Sequence, residues 1–193
     1  MLRPYSFIMK AVIGLGNPGK QYAKTRHNLG RMAIHHYLRR FSKEKIKKVE
    51  QDFSVVYKIR DERLIVEPLT YMNLSGVSVK ETCEKFSLSP SDCLLVYDEY
   101  AVPFGKMKAK PGGGAGGHNG VASVLAELST REISRLRLGI GIETRLSDLV
   151  SFVLEEFDED ERQRLPELLE RAADAIECFF AEGLNAVMNR FNG

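Results

Sequence analysis

Apolar residues follow two rhythms along this chain. Unbroken runs at 11–15 (AVIGL) and 94–97 (LLVY) read as strands covered on both faces, since such a run leaves no side for water. Runs at 53–59 and 64–69, rich in Val, Ile and Leu with Asp61 and Glu62 between them, predict a hairpin. At 106–110 (KMKAK) and 135–142 (RLRLGIGI) side chains alternate, so each strand gathers its basic residues on one face. A helical rhythm covers roughly 28–41, 74–86, 121–128, 149–154 and 160–188, the last broken near Gly183. Val121, Val124, Leu125 and Leu128 fall at i, i+3, i+4 and i+7, which lays one stripe against a sheet. The alternation predicts an α/β fold: a single three-layer domain over residues 10–193, with a mixed, mostly parallel central sheet flanked by helices. Residues 1–9 read as an N-terminal extension, with Met9 as an alternative start.

Composition narrows the class. The chain has 193 residues, 44% hydrophobic and 28% charged, which suits one core and excludes a disordered or fibrous chain. No stretch is long and apolar enough for a membrane span, and the N-terminus lacks a secretory core. Three cysteines without a C-x-x-C argue for a reducing compartment, and against a disulfide framework or a zinc site; the expected address is the cytoplasm. The net charge of +2 conceals a division. Residues 1–110 hold 20 Lys/Arg against 11 Asp/Glu, net +9, whereas 111–193 hold 8 against 15, net −7. Segregated charge of that size points one face toward an anionic partner, although lysines on solvated helices and loops give the same total.

Three loops carry candidate chemistry. Gly14-Leu15-Gly16-Asn17-Pro18-Gly19 matches the dinucleotide spacing G-x-G-x-x-G, but a polar stretch follows where that site needs a helix start, and no acidic ribose partner appears. Residues 111–120 (PGGGAGGHNG) precede a predicted helix, and glycines there let backbone approach a ligand closely; no G-K-[ST] follows, which excludes a nucleotide P-loop. Asp98 stands at the end of a buried strand, where α/β sheets place their ligands, though a lone Asp is as often a turn cap.

Of four histidines, His35 and His36 read as helix packing. His27 sits in a polar loop, and with Asp98 to fix its tautomer it is the best general base in the chain. No Ser or Cys lies in a nucleophile motif, so such a base would activate water or abstract a proton. Asn17, Asn73 and Asn119 fall in loops beside strand ends, where amides suit recognition of a carbonyl or a peptide backbone; each alone is more often a turn residue or cap.

Five motifs together resemble the bacterial-type peptidyl-tRNA hydrolase family. They are GLGNPGxxYxxTRHN (14–28), MNLSG (72–76), the Asp98-Glu99 pair, GGGxGGHNG (112–120) and RLRLGIG (135–141), in the family's order across most of 11–142. The resemblance implies a cytoplasmic, monomeric enzyme with no cofactor and no metal, which cleaves the ester between a peptide and the terminal ribose of tRNA. It implies that His27 is the base and Asp98 its partner. Asn17, Asn73 and Asn119 would bind the substrate's terminal region, with Asn17 favouring a blocked amine, and Tyr22, Tyr71, Met72 and His118 would line the same cleft. Lys108, Lys110 and Arg137 match positions that hold tRNA phosphates, and Lys106 adds a charge on the same strand face. Four such contacts give a salt slope of roughly three to four. The acidic run 155–161 is then expected far from the RNA. Ala101 and Ala115 depart from the family pattern, and Tyr71 stands where Phe is common. The competing reading is a non-catalytic RNA-binding relative, against which the intact His27–Asp98 pair and the three asparagines count.

Overall fold

The computed structural model describes residues 9–44, 46–60, 62–142 and 148–192. Seven strands form one sheet: β1 Lys10–Gly14, β2 Lys47–Glu50, β3 Ser54–Ile59, β4 Arg63–Pro68, β5 Cys93–Pro103, β6 Met107–Lys110 and β7 Ser134–Gly141. Six α-helices accompany them: α1 Leu29–Arg39, α2 Ser75–Phe86, α3 Asn119–Glu127, α4 Leu149–Leu154, α5 Glu159–Glu182 and α6 Leu184–Phe191. The sheet order is β2-β3-β4-β1-β5-β7-β6. β1, β4, β5 and β7 run parallel, with antiparallel additions at both edges. The expected mixed, mostly parallel sheet between helical layers is what the chain forms.

Alternation sorts the side chains to two faces. Val12, Leu94, Val96, Leu136 and Leu138 pack under α1, α4, α5 and α6. Ala11, Ile13, Leu95 and Tyr97 pack under α2 and α3 on the other side. Gly30 lets α1 lie directly on the sheet: a Cβ there would sit 2.1 Å from the Val96 carbonyl oxygen. The helices end as predicted to within a few residues, and α5 breaks into α6 at Gly183, whose φ is +85°.

Two strands depart from the sequence expectation. β2 (KKVE) has one apolar residue, so no alternation marks it; a charged, exposed strand is what a sheet edge requires. β5 does not stop at Tyr97 but continues through the polar DEYAVP to Pro103. Asp98 is therefore within a strand that outruns its neighbour, since β1 pairing ends at Gly14 opposite Val96. Of the expected hairpin turn, Asp61 lies outside the described residues, as do residues 1–8 of the expected extension.

Candidate active site

Above the C-terminal ends of β1, β4 and β5 the sheet leaves β5 uncovered on the β1 side, and the segment after β1 fills that gap. The segment passes through two short 3-10 turns, Lys20–Tyr22 and Arg26–Asn28, before α1 begins. No helix starts inside the glycines, so the amide cradle of a dinucleotide site is not formed. Arg26 anchors the second turn. Its buried guanidinium pairs with Glu161 at 2.7 Å and lies over the Phe152 ring at 4.2 Å, and the Arg26 backbone N–H donates to the Glu155 carbonyl at 3.0 Å.

The next residue, His27, is thereby aimed at Asp98: Nδ1 lies 3.1 Å from both carboxylate oxygens. His118 reaches the same carboxylate from the glycine loop, Nε2 to Oδ1 at 3.1 Å. His118 is also the N-cap of α3, and its Nδ1 accepts the Val121 N–H at 3.2 Å. That bond decides the proton positions. Nδ1 of His118 must present its lone pair, so Nε2 carries the hydrogen and donates to Asp98. Asp98 also accepts Nδ1–H of His27, which leaves the His27 Nε2 lone pair with no partner among the described residues. Asp98 is 3% exposed. Burial pushes its carboxyl pKa up, but the imidazoles, His118 ahead of His27, outweigh burial and hold it well below the usual carboxylate range.

His27, Asp98 and His118 offer ligand atoms within 4.8 Å of one another, the only such grouping among the described residues. A metal on His118 Nε2 would force hydrogen onto Nδ1, against the Val121 N–H. The donor set fits proton handling better than metal binding.

The amides divide by role. Asn17 Oδ1 accepts the Met72 N–H at 2.8 Å, which fixes its flip and leaves Nδ2 for a ligand. Asn28, fully buried, brackets the Asn17 backbone: Oδ1 takes its N–H at 2.8 Å and Nδ2 donates to its carbonyl at 2.9 Å. Asn73 and Asn119 are exposed on the cleft wall, and neither side chain is bonded among the described residues. The glycine loop is held from below by Arg135, which is 0% exposed and donates to the carbonyls of Gly113 and Gly114. At Gly120 a Cβ would meet Met72 Sδ at 2.3 Å, so a larger residue there would have to push the Met72 side chain aside.

A cleft of about 430 Å³ opens here, lined by Asn17, His27, Tyr71, Met72, Asn73 and Asp98, with His118 and Asn119 from the glycine loop. Tyr22 is not in the wall; it sets its ring against Tyr71 at 6.4 Å and props it from behind. The opposite wall is α4, through Leu149, Val150, Val153 and Leu154. Sequence reading left this wall out, as it did Asn28 and Arg26. Its signal is LVSFVL, apolar around the whole helix where a helix packed on one face needs a single stripe.

The basic residues stand elsewhere. Lys108 is opposite Arg137 and Lys110 opposite Arg135 across the β6–β7 pair, with Lys106 just before β6. Lys106 and Lys108 are exposed and carry no ion pair among the described residues. Lys110 has its pKa lowered, first by burial and then by Arg135 and Arg137. Arg137 is not free: its Nε donates to Glu99 at 2.9 Å. The acidic run 155–161, expected far from the RNA, comes beside the cleft at two of its residues. Glu155 and Glu161 pair with Arg26, so the run supports the cleft from beside His27. His35 and His36 correct the packing expectation: they pair with Glu67 at 3.1 Å and Glu170 at 2.5 Å, and His35 is exposed.

A model of the family described as peptidyl-tRNA hydrolase matches residues 11–193. The chain belongs to the peptidyl-tRNA hydrolase family. It is 40% identical over 189 residues to a peptidyl-tRNA hydrolase of Symbiobacterium thermophilum, covering 95% of this chain and 98% of that protein. To one of Oceanobacillus iheyensis it is 39% identical over 186 residues, covering 95% and 100%. The crystal structure of peptidyl-tRNA hydrolase from Acinetobacter baumannii matches with a TM-score of 0.85 at 26% identity, over 99% of this chain and 98% of that one. Family membership makes the chain an enzyme, a hydrolase whose substrate class is peptidyl-tRNA. No helix among the described residues is long and apolar enough to cross a membrane.

Proposed function

We propose that this hydrolase acts by a water that His27 activates, with Asp98 and His118 setting the proton positions and no metal or cofactor taking part. Nε2 of His27 takes a proton as the water oxygen bonds to the ester carbonyl carbon. The carbon–oxygen bond to the terminal ribose then breaks, and the proton passes to the departing ribose oxygen. The peptide leaves as a carboxylic acid that gives its remaining proton to solvent, and the tRNA is returned to translation. What supports this reading is the single free lone pair on His27 at the cleft, left by the hydrogen bonds around Asp98. General-base assistance supplies about 10²–10⁴-fold, and positioning by Asn17, Asn73 and Asn119 adds to it. Asn17 Nδ2 donates to an acylated amine's carbonyl, which an unblocked aminoacyl group lacks. Tyr71, Met72 and Asn73 bear on the acceptor end.

Lys106, Lys108 and Lys110 bind tRNA phosphates on the face beside the cleft. With Arg137 held by Glu99, three contacts replace four, and the expected salt slope becomes roughly two to three. Residues 10–193 act as one domain, monomeric and cytoplasmic.

The deciding measurement is acyl release, in EDTA, from an N-blocked aminoacyl-tRNA and from its unblocked counterpart. Rapid release from the blocked substrate alone is expected. Binding of tRNA with no release from either would overturn the catalytic reading in favour of an RNA-binding role.

A further inference from the structure

Two of the three cysteines meet at the far end of the sheet from the cleft. Cys83 lies in the last turn of α2 and Cys93 opens β5, and their sulfurs are 3.8 Å apart, in contact. Both are free thiols and both are buried. Each is held by an ordered turn. Ser87 caps α2 with a left-handed φ of +54°, and the Leu88 N–H bonds the Cys83 carbonyl at 2.9 Å. Before Cys93, Ser89 and Asp92 form a reciprocal cap, with the Ser89 N–H on Asp92 Oδ2 at 2.9 Å. The sulfurs are thus brought together by the packing of α2 on β5, although ten residues of sequence and no redox motif separate them.

We propose that Cys83 and Cys93 form an oxidisable dithiol that closes to an intramolecular disulfide when the protein meets a low-molecular-weight disulfide. The Cys83 thiolate attacks one sulfur of the oxidant and displaces a small thiol, leaving a mixed disulfide. The Cys93 thiolate then attacks the Cys83 sulfur and displaces the second small thiol. Two protein thiols are oxidised, one small disulfide is reduced to two thiols, and the protons of both cysteines leave with them. The order follows from exposure: Cys83 is 8% accessible and Cys93 not at all. It agrees with the shared S–H contact, which lowers the Cys83 pKa and, with burial, raises that of Cys93. Cys178, beside the Arg190 guanidinium at 3.8 Å, has no second sulfur and is the internal control.

The cross-link spans the bases of two elements whose other ends form the cleft. Cys93 is five residues before Asp98, about 17 Å along the strand, and Cys83 is eight residues, about 12 Å, into α2 from Ser75. Closing it should brace both elements and leave the cleft unchanged. The expected effect is a melting temperature raised by about 4–8 °C, with hydrolysis within about twofold of the reduced enzyme.

The test uses the full chain and hydroxyethyl disulfide as oxidant. After treatment, intact mass should fall by two hydrogens, one alkylatable thiol should remain in place of three, and peptide mapping should join the Cys83 and Cys93 peptides. Dithiothreitol should reverse all three. In Cys93→Ser the mixed disulfide on Cys83 should accumulate, because no thiol resolves it, and Cys178→Ser should leave the cross-link intact. Wild-type protein that keeps three alkylatable thiols, retains a stable mixed disulfide, or reacts first at Cys178 overturns the proposal. The wild-type mass measurement decides even where a variant folds poorly.

Discussion

The His27–Asp98–His118 cluster and the lysines of and just before β6 are built oppositely. In the cluster, nearly every polar atom is bonded to another protein group, and the His27 Nε2 lone pair left over is the one proposed to react. Just before and within β6, Lys106 and Lys108 are exposed and carry no ion pair among the described residues. Chemistry at one ester carbon demands atoms fixed to fractions of an ångström, whereas attraction of a polyanion demands only charge in the right region. On the proposed roles, packing rigidity is concentrated where geometry would decide the rate and relaxed where charge is enough.

The sharpest way to break that contrast is His27→Ala. Hydrolysis of an N-blocked aminoacyl-tRNA should fall by about 10²–10⁴-fold while tRNA affinity survives. Turnover within a few-fold of wild type would place the base elsewhere. Asn28→Ala probes the rigidity itself, because Asn28 need touch no substrate and holds the Asn17 backbone through two hydrogen bonds. At about 1 kcal/mol each, their loss should lower kcat/KM by roughly 10- to 30-fold. If catalysis is unchanged, the bracket around Asn17 is structural ornament and the cluster is less preorganised than its bonds imply.

The same asymmetry decides what the sequence made visible. The strands at 11–15 and 94–97, the helix at 149–154 and the glycine loop were legible because each is written in local spacing. Which loops converge was legible only through the five motifs. Arg26 with Glu161, 135 residues away, and Glu99 with Arg137, 38 residues away, were not. No local pattern distinguishes a buried, paired cation from a solvated one. Arg135 shows this well: by alternation it belongs with the basic face, yet it is sealed beneath the glycine loop and bonds its carbonyls. The cysteine count and spacing, too, are silent about a contact made by tertiary packing.

Acid stability offers a test with smaller effects. Glu67, next to the strand end that leads to Tyr71, has its pKa raised by burial but lowered more by His35 and Arg31, to about 2. A carboxyl with a depressed folded pKa stabilises the fold fully above its unfolded value, about 4.3, and loses that contribution as pH falls toward 2. Asp98 acts with the same sign. Glu67→Gln should therefore cost about 1–2 kcal/mol at neutral pH and lessen the drop in melting temperature between pH 4.5 and 2.5. An equally steep acid limb in the variant would show that Glu67 titrates normally.

On the basic face, Lys108→Ala with Lys110→Ala should raise KM several-fold, leave the chemical step nearly untouched, and reduce the salt slope by about 1.5. An unchanged slope would remove these lysines from the phosphate contacts.

The smallest effect separates charge that is present from charge that is available. Arg137 lies in register with Lys108, so by sequence it counts as a fourth phosphate contact, but its Nε is bonded to Glu99 at 2.9 Å on the side toward the cleft. A paired guanidinium can reach a phosphate only by surrendering a carboxylate in a half-buried position, where that pairing is stronger than on an open surface. Arg137→Ala should then change the salt slope by less than about 0.5. Glu99→Gln, which keeps the shape and removes the charge, should release Arg137 and steepen the slope by up to about 0.7–0.9, the value of one added contact. The two substitutions together should return it to the wild-type slope. If Arg137→Ala alone flattens the slope by a full contact, the arginine serves the RNA and the pair with Glu99 is given up on binding, which would carry the locked character of the cluster out onto the open face.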